Sequence, residues 1–323
     1  MEDLKNHTGT LHIKSLPDGR HELQCDVGIT LAHSHCITDY PLELIKVIFD
    51  EFGAGYTVDE IMRDQDNNDA QLDVRYSVLS YFPDDILARK LRILDYGCGS
   101  GSSILALNRV FPNADITGLD HGPQYLKIAG LRARHFGLHN IELQQVPSAG
   151  TFSLQGYDFA FLNAVYEHLL PDERPEVMKN IWHALKPGGA LILNQTPHRW
   201  FPIETHTSGL PLINYLPDSL THHAVNKFSK RSSGKDTWPQ LLRAGVRGAT
   251  VGEIMRDIHR IDPGAKRLQP IRIANSWAGI WYAAKRKRMR EGAFKTAVTL
   301  TQKFVDLTRF PLSPYVNIAV RKS

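Results

Sequence analysis

Gly97, Gly99 and Gly101 alternate through the run ILDYGCGSG at residues 93–101, between an apolar strand-like stretch and a helical one. Glycines at that spacing let a backbone turn sharply and approach a ligand closely. A helix opening at Ser102 would aim its free N–H groups at whatever lies over the loop. The dinucleotide fingerprint G-x-G-x-x-G would require glycine where Ser102 stands. Asp95 puts a carboxylate beside the bound group, which repels a pyrophosphate and suits a cation. Asp120 ends the run ITGLD, 25 residues after Asp95, with His121 beside it. An acid at that place can accept both hydroxyls of a ribose. The loop (Asp95, Gly97, Cys98, Gly99, Gly101) and Asp120–His121 thus point to a nucleoside that carries positive charge.

Two further clusters could act on a second reactant. Asn163, Tyr166, Glu167 and His168 lie in NAVYEHLLP, directly after a strand-like run. His198, Arg199, Glu204 and His206 lie in TPHRWFPIETHTSGLPLINYLPD (196–218), where Trp200, Phe201 and Tyr215 could enclose an apolar or aromatic substrate. An oxygen nucleophile must lose its proton to a histidine or carboxylate within reach. Asn163, Glu167, His168, His198 and His206 are therefore the candidate catalytic residues. Tyr166, Arg199, Trp200, Phe201, Glu204 and Tyr215 are the candidate substrate contacts. Plainer roles exist for several: His168 as a helix cap, Glu167 as a partner for Arg199, Trp200 as packing. The chain has 15 histidines, yet HSHC (33–36), Thr221-His222-His223 and the set His198, Glu204, His206 match no metal-ligand spacing. No functional metal is expected.

Elements that would position these residues alternate from Arg92 onward: strands at 93–97, 114–120, 140–146, 157–163 and 189–196, with helices at Ser102–Val110, Gln124–Phe136 and Pro175–Leu185. Such alternation builds a mostly parallel sheet covered by helices, with ligands at its carboxyl edge. Pro187-Gly188-Gly189 stops a helix and starts a strand. The aperiodic stretch 196–233 reads as a lid or substrate-binding insertion. A helix at Thr237–Arg243, a strand near Ala249–Ile254 and a last strand near Tyr315–Val320 follow. Before this region, residues 1–89 read as a mainly helical extension with a hairpin at Pro17-Asp18-Gly19. Its helices would cover Pro41–Phe52, a segment opened by a Thr57/Glu60 capping box, and Ala70–Phe82.

Composition narrows the field. The chain has 323 residues, 42% of them hydrophobic, and a net charge of +4, too small a surplus to argue for nucleic acid. Residues 1–90 carry a net −9 and residues 283–323 a net +8. The basic run Lys285-Arg286-Lys287-Arg288-x-Arg290 follows Trp277 and Trp281-Tyr282. It reads as a solvated face near the acidic N-terminal region, with weak peripheral contact to an anionic membrane left open. Three scattered cysteines and no secretory start imply a cytoplasmic protein. A homo-oligomer is left open.

The pattern Asp95-x-Gly97-x-Gly99-x-Gly101, Asp120, the strand YDFAFLN and LKPGGALIL (185–193) together resemble the class I S-adenosylmethionine-dependent methyltransferases. The resemblance covers residues 90–196 and extends more weakly to the C-terminus. It implies an α/β, Rossmann-like sheet of seven strands with an antiparallel last strand, for which YVNIAVRK is the candidate. It implies that the glycine loop holds the methionine part of S-adenosylmethionine, that Asp120 binds ribose, and that Asn163 and its neighbours line the transfer site. Members often have an acid after the third strand for the adenine amino group. Here Val146-Pro147-Ser148 stands there, so Ser148 or backbone would substitute. The Asn/Asp-Pro-Pro-Tyr/Phe sequence of nucleobase and protein-amide methylators is replaced by Asn163-Ala164-Val165-Tyr166. The expected activity is methyl transfer to an O or N atom of a small or lipid-linked metabolite. A nicotinamide-dependent oxidoreductase and a non-catalytic regulatory protein are the alternatives.

Overall fold

Residues 2–27, 33–64, 69–147, 152–229, 232 and 234–323 are described by a computed structural model. The central sheet contains β5 (Arg92–Tyr96), β6 (Asp115–Asp120), β7 (Ile141–Gln145), β8 (Tyr157–Asn163), β9 (Leu185–Pro197), β10 (Lys266–Arg267) and β11 (Tyr315–Arg321). Their spatial order is β10-β11-β9-β8-β5-β6-β7. Strands β5 to β9 pair in parallel, β11 is antiparallel to β9, and the two-residue β10 is antiparallel to β11. This is the seven-stranded Rossmann-like sheet that the sequence implied.

Strand residues alternate between two cores. Tyr157, Ala160, Leu162, Leu191 and Leu193 face one side, where they meet Val177, Ile181 and Trp182 of α6 (Arg174–Ala184) and Ile254 and Ile258 of α9 (Val251–Ile261). Phe159, Phe161, Ala190 and Ile192 face the other side. There they meet Val74 and Val78 of α3 (Asp69–Tyr81), Leu107 of α4 (Ser102–Val110) and Ile280 of α10 (Trp277–Arg288). Burial on both faces explains why these strands read as near-continuous apolar runs. Helix α11 (Ala293–Thr308) packs on the outside of α10 through Val298 and Val305. Residues 249–254 are not a strand. Thr250 and Glu253 form a reciprocal cap, and Val251, Ile254 and Ile258 then recur at helical spacing along α9.

The N-terminal region is less helical than expected. The hairpin at Pro17-Asp18-Gly19 is present, but it joins the middle strands of a four-stranded antiparallel sheet. That sheet comprises β1 (Glu2–Asn6), β2 (Gly9–Ser15), β3 (His21–Asp26) and β4 (His35–Thr38). Leu11, Ile13, Leu23 and Cys25 point inward against α1 (Leu42–Phe52), α2 (Ala54–Met62) and Ile128 and Leu131 of α5 (Pro123–His135). Nor do Thr57 and Glu60 cap a helix. Thr57 lies inside α2 and donates to the Gly53 carbonyl, while Glu60 turns inward to Ser100 and Arg132. Among its described residues the 196–233 stretch holds α7 (Asp218–Phe228), which no sequence signal announced, and a short 3-10 turn at Ile213–Tyr215; α8 (Trp238–Arg243) follows.

Arg132 of α5 is 1% exposed and lies between the Glu60 and Asp64 carboxylates at 2.9 and 2.7 Å. It also donates to the Ser100 carbonyl of the glycine loop at 2.8 Å. Replacing Arg132 with alanine leaves two buried carboxylates without their shared guanidinium, and should lower the unfolding free energy by about 3–5 kcal/mol. Urea denaturation reads this directly. A loss below about 1 kcal/mol, the value of an exposed pair, would mean that the cluster carries no structural weight.

Candidate active site

The glycine loop runs from the end of β5 into α4 along the carboxyl edge of the sheet. The N–H groups of Gly97 and Cys98 both donate to the Leu119 carbonyl, which stitches the loop to β6. Gly97 has φ 74°, and a Cβ there would lie 2.7 Å from the Val165 side chain. Gly101 has φ 95°, and a Cβ there would meet Ala129 of α5 at 2.8 Å. The Gly99 N–H donates to one Asp120 oxygen at 2.8 Å and the Gly122 N–H to the other at 2.9 Å. Each oxygen keeps a lone pair for a ligand hydroxyl. The Cys98 side chain is buried, which pushes its thiol well above the ordinary range, so only its backbone serves the loop.

Asp95 lies beneath this loop rather than at its surface. Its carboxylate accepts from the Ser103 hydroxyl at 2.5 Å and the Asn163 amide at 3.3 Å. Burial pushes Asp95 up to about 7, against the opposing pull of Ser103 and Asn163 and with a further push from Asp120. The Asn163 oxygen accepts from Asn194 at 3.4 Å, and the Asn194 oxygen accepts from Ser77 of α3 at 3.0 Å. A buried polar chain therefore crosses the ends of β5, β8 and β9 and reaches α3. Asn163 is committed to that chain.

A cavity of about 580 Å³ opens above the loop, between Gly97, Asp120, His121 and Tyr125 on one side and Val165, His168, Leu169 and Arg243 on the other. Its size falls within the range of about 300–1,000 Å³ common for ligand sites. Leu119, Val146 and Pro147 offer apolar wall for a flat base next to the Asp120 carboxylate. Ser148 lies outside the described residues. The Gly97 cradle and the Asp120 acceptor fit a nucleoside such as S-adenosylmethionine. Tyr125 and Arg243 were not singled out from the sequence, although Tyr125 follows Asp120 by five residues on the opening of α5.

A smaller cavity, about 270 Å³, shares the Ala164 wall with the first. Asp73, Gln195, His206, Trp281, Lys285 and Tyr315 complete its lining. Ala164 and Gln195 have φ 53° and 60°, a left-handed backbone that β-carbon residues seldom adopt. Such strain gathers at functional sites. Gln195 is held by bonds from its amide group to Asp73 and from its N–H to Asn317. Of this lining, the sequence had indicated only His206. Trp281 and Lys285 stand four apart on α10, the one periodic signal that could have joined the aromatic patch to the basic run.

The remaining candidates separate sharply. Glu167, His168 and His206 converge between the two cavities, with ligand-type atoms all within 4.8 Å of one another. Burial pushes Glu167 up to about 8, offset in part by its own amide and the nearby Thr196 hydroxyl. Burial also lowers His168, whose Nδ1 lies 2.6 Å from the Arg243 carbonyl. Glu204 serves the turn instead of the reactant: its carboxylate accepts from the N–H groups of His206, Thr207 and Ser208. His198 is buried with its ring against Trp277, and burial lowers it to about 4. Tyr166 is fully buried, under the Arg174 guanidinium, and its hydroxyl donates to Asp257. Arg199 pairs with Glu253, not Glu167. Trp200 and Tyr215 stack on each other at the outer surface, and Phe201 borders neither cavity. These seven side chains border neither cavity.

The profile of a methyltransferase domain matches residues 87–245. Over 112 residues the chain is 34% identical to the ubiquinone biosynthesis O-methyltransferase of Serratia proteamaculans, covering 33% of this chain and 45% of the relative. It is 30% identical over 141 residues to the malonyl-[acyl-carrier protein] O-methyltransferase of Bacillus anthracis, covering 42% and 45% of the two chains. The chain spans about half the length of the curated relatives it matches. Among solved structures, the plantazolicin methyltransferase BamL aligns at 15% identity with a TM-score of 0.46, covering 87% of this chain and 96% of that one. The profile, the relatives and the strand order agree on a class I S-adenosylmethionine-dependent methyltransferase fold.

Proposed function

We propose that this protein transfers a methyl group from S-adenosylmethionine to an oxygen atom of a small or lipid-linked acceptor. The observation that carries this reading is the meeting of two cavities at Ala164, one floored by Asp120 and the glycine loop, the other bordered by His206. When bound, S-adenosylmethionine supplies a methyl group made electrophilic by a sulfonium. Asp120 would hold the ribose hydroxyls, Gly97 and Gly99 would admit the methionine part, and Val146 and Leu119 would border the base. Trp281 and Tyr315, tilted against each other with ring centres 6.2 Å apart, would form an apolar wall for the acceptor, and the Glu167/His168/His206 cluster would activate its hydroxyl. Holding the two reactants in line removes much of the entropic cost of their encounter.

The acceptor's lipid character finds support outside the cavities. Leu300, Phe304 and Leu307 recur along α11 and are 60, 49 and 86% exposed. Lys287 and Arg290 are exposed on the neighbouring segment. An exposed apolar stripe on a helix that follows a basic run suits an anionic membrane surface. No helix among the described residues is long and apolar enough to cross a membrane. The three cysteines are unpaired, in keeping with a cytoplasmic setting.

Asp120→Ala should weaken S-adenosylhomocysteine binding about tenfold to a hundredfold, the usual cost of lost hydrogen bonds to a charged group. Calorimetry reads this, and NAD should give no heat. Equal affinity in the variant would sink the cofactor assignment. Asp95 gives a second test. Its folded pKa of about 7 keeps it largely neutral at pH 6, whereas a bound cation favours the carboxylate. Donor binding should therefore release a proton at pH 6 and almost none at pH 8.5, and affinity should fall as pH drops below about 7. Titrations in two buffers of different ionisation enthalpy check this, and Asp95→Asn should remove the difference. Finally, the chain should float with phosphatidylglycerol vesicles at low salt and lose that binding in Leu300→Ser/Leu307→Ser. No flotation of the unaltered chain would rule out the membrane surface.

A further inference from the structure

We infer that Glu167, His168 and His206 form a binding site for a divalent transition-metal ion, of the zinc class, at the junction of the two cavities. Glu167 is 2% exposed, and neither of its oxygens accepts a hydrogen bond of normal geometry. A buried carboxylate left in that state calls for a proton donor or a cation. His168 does not supply the proton. Its Nδ1 faces the Arg243 carbonyl, which can only accept, so Nδ1 carries the hydrogen and Nε2 presents a lone pair. That lone pair lies 4.0 Å from Glu167 Oε1. The Glu167 carboxyl and the Nε2 lone pair thus face each other across a gap that a cation can fill, the arrangement that a metal-bound histidine shows when its other nitrogen donates to a backbone carbonyl.

The third ligand arrives from a different segment, and the fold makes room for it. The His206 ring centre is 5.2 Å from that of His168. Gly245 stands beside them at φ 93°. A Cβ there would lie 2.7 Å from His206 Cδ2 and 3.2 Å from Glu167 Cγ. The absence of a side chain at 245 is what lets the histidine and the carboxylate share one space. Glu204 fixes the turn that carries His206. Ligands about 2.0–2.2 Å from a tetrahedral ion are about 3.3 Å apart, so the half-buried rings need only a small inward rotation.

Two imidazoles and one carboxylate suit zinc, manganese or iron better than magnesium, which favours oxygen ligands. His168 lines the larger cavity and His206 the smaller, so an open coordination position would face both. Resting on the methyl-transfer reading, that position would take the acceptor hydroxyl and lower its pKa. The binding of the ion itself does not depend on that reading. The sequence obscured the site because His206 lies 38 positions after His168.

The test uses the full chain without a histidine tag, stripped by chelator and dialysed against zinc. One zinc per chain is expected, weakened at least about a hundredfold in Glu167→Gln and in His206→Ala and about tenfold in Gly245→Ala, with His198→Ala unchanged. Cobalt(II) should give a tetrahedral visible spectrum that the same variants lose. Failure of the unaltered chain to hold zinc, or unchanged zinc in Glu167→Gln and His206→Ala, would overturn the proposal. Circular dichroism and S-adenosylhomocysteine titration on the same samples confirm folding. Zinc held without S-adenosylhomocysteine binding would sink the methyl-transfer reading and leave the metal site standing; the reverse result would do the opposite.

Discussion

Arg132 joins the N-terminal region to the cofactor loop, and much of the site's geometry depends on it. Its guanidinium reaches Glu60 and Asp64 on one side and the Ser100 carbonyl and hydroxyl on the other. The Tyr40 hydroxyl and the Ser102 hydroxyl close the cluster through Asp64. Burial alone would raise Glu60, but Arg63 and Arg132 overcome it and hold the carboxyl down at about 2. Buried ion pairs often add little net stability, yet removing one partner is costly. Here the cluster lies beside the loop that presents the Gly99 N–H to Asp120. A shift of Ser100 would carry Gly99 with it and spoil the orientation of the ribose acceptor. Helix α2 is accordingly a brace for the cofactor loop, and the N-terminal sheet covers α2 and α5.

A second constraint crosses the sheet from strand to strand. The chain from Ser77 through Asn194 and Asn163 to Asp95 and Ser103 satisfies buried amides at three strand ends. Networks of this kind are rigid when complete, because each member lacks any other partner in a low-dielectric interior. It also holds Asn163, the residue that the resemblance placed at the transfer site, between Asp95 and Asn194. It fixes the end of β8, and the next residue, Ala164, is the one that both cavities touch.

The parallel sheet, its order and the cofactor loop were legible because each rests on local signals: apolar runs of strand length, glycines at close spacing, a Pro-Gly-Gly stop. Helix bounds such as Ser102–Val110 follow from the same periodicity. The N-terminal sheet was harder to read because its inward residues, Leu11, Ile13, Leu23 and Cys25, form a weak alternation in short strands. The 249–254 segment was misread because three apolar residues in a short window, Ala249, Val251 and Ile254, suit a strand or a helix equally. The Thr250–Glu253 cap decides it. The acceptor side was the least legible part. Asp73, Gln195, Trp281, Lys285 and Tyr315 come from α3, β9, α10 and β11, and only the folded sheet edge assembles them.

Glu204 and His206 show why composition alone cannot assign roles in the insertion. Both are ionisable, two residues apart, and equally plausible from the sequence. The backbone between them makes a tight turn whose N–H groups all converge on the Glu204 carboxylate, so that charge is spent inward. The same turn carries His206 to the boundary between the cavities, opposite Glu167 and His168. The acid builds the turn and the turn delivers the imidazole. Neighbouring His198 is held instead against Trp277, where burial keeps it neutral. The aromatic and histidine-rich character of residues 196–218 therefore reflects a folded support more than a set of independent contacts: of its two histidines, His206 borders a cavity and His198 does not.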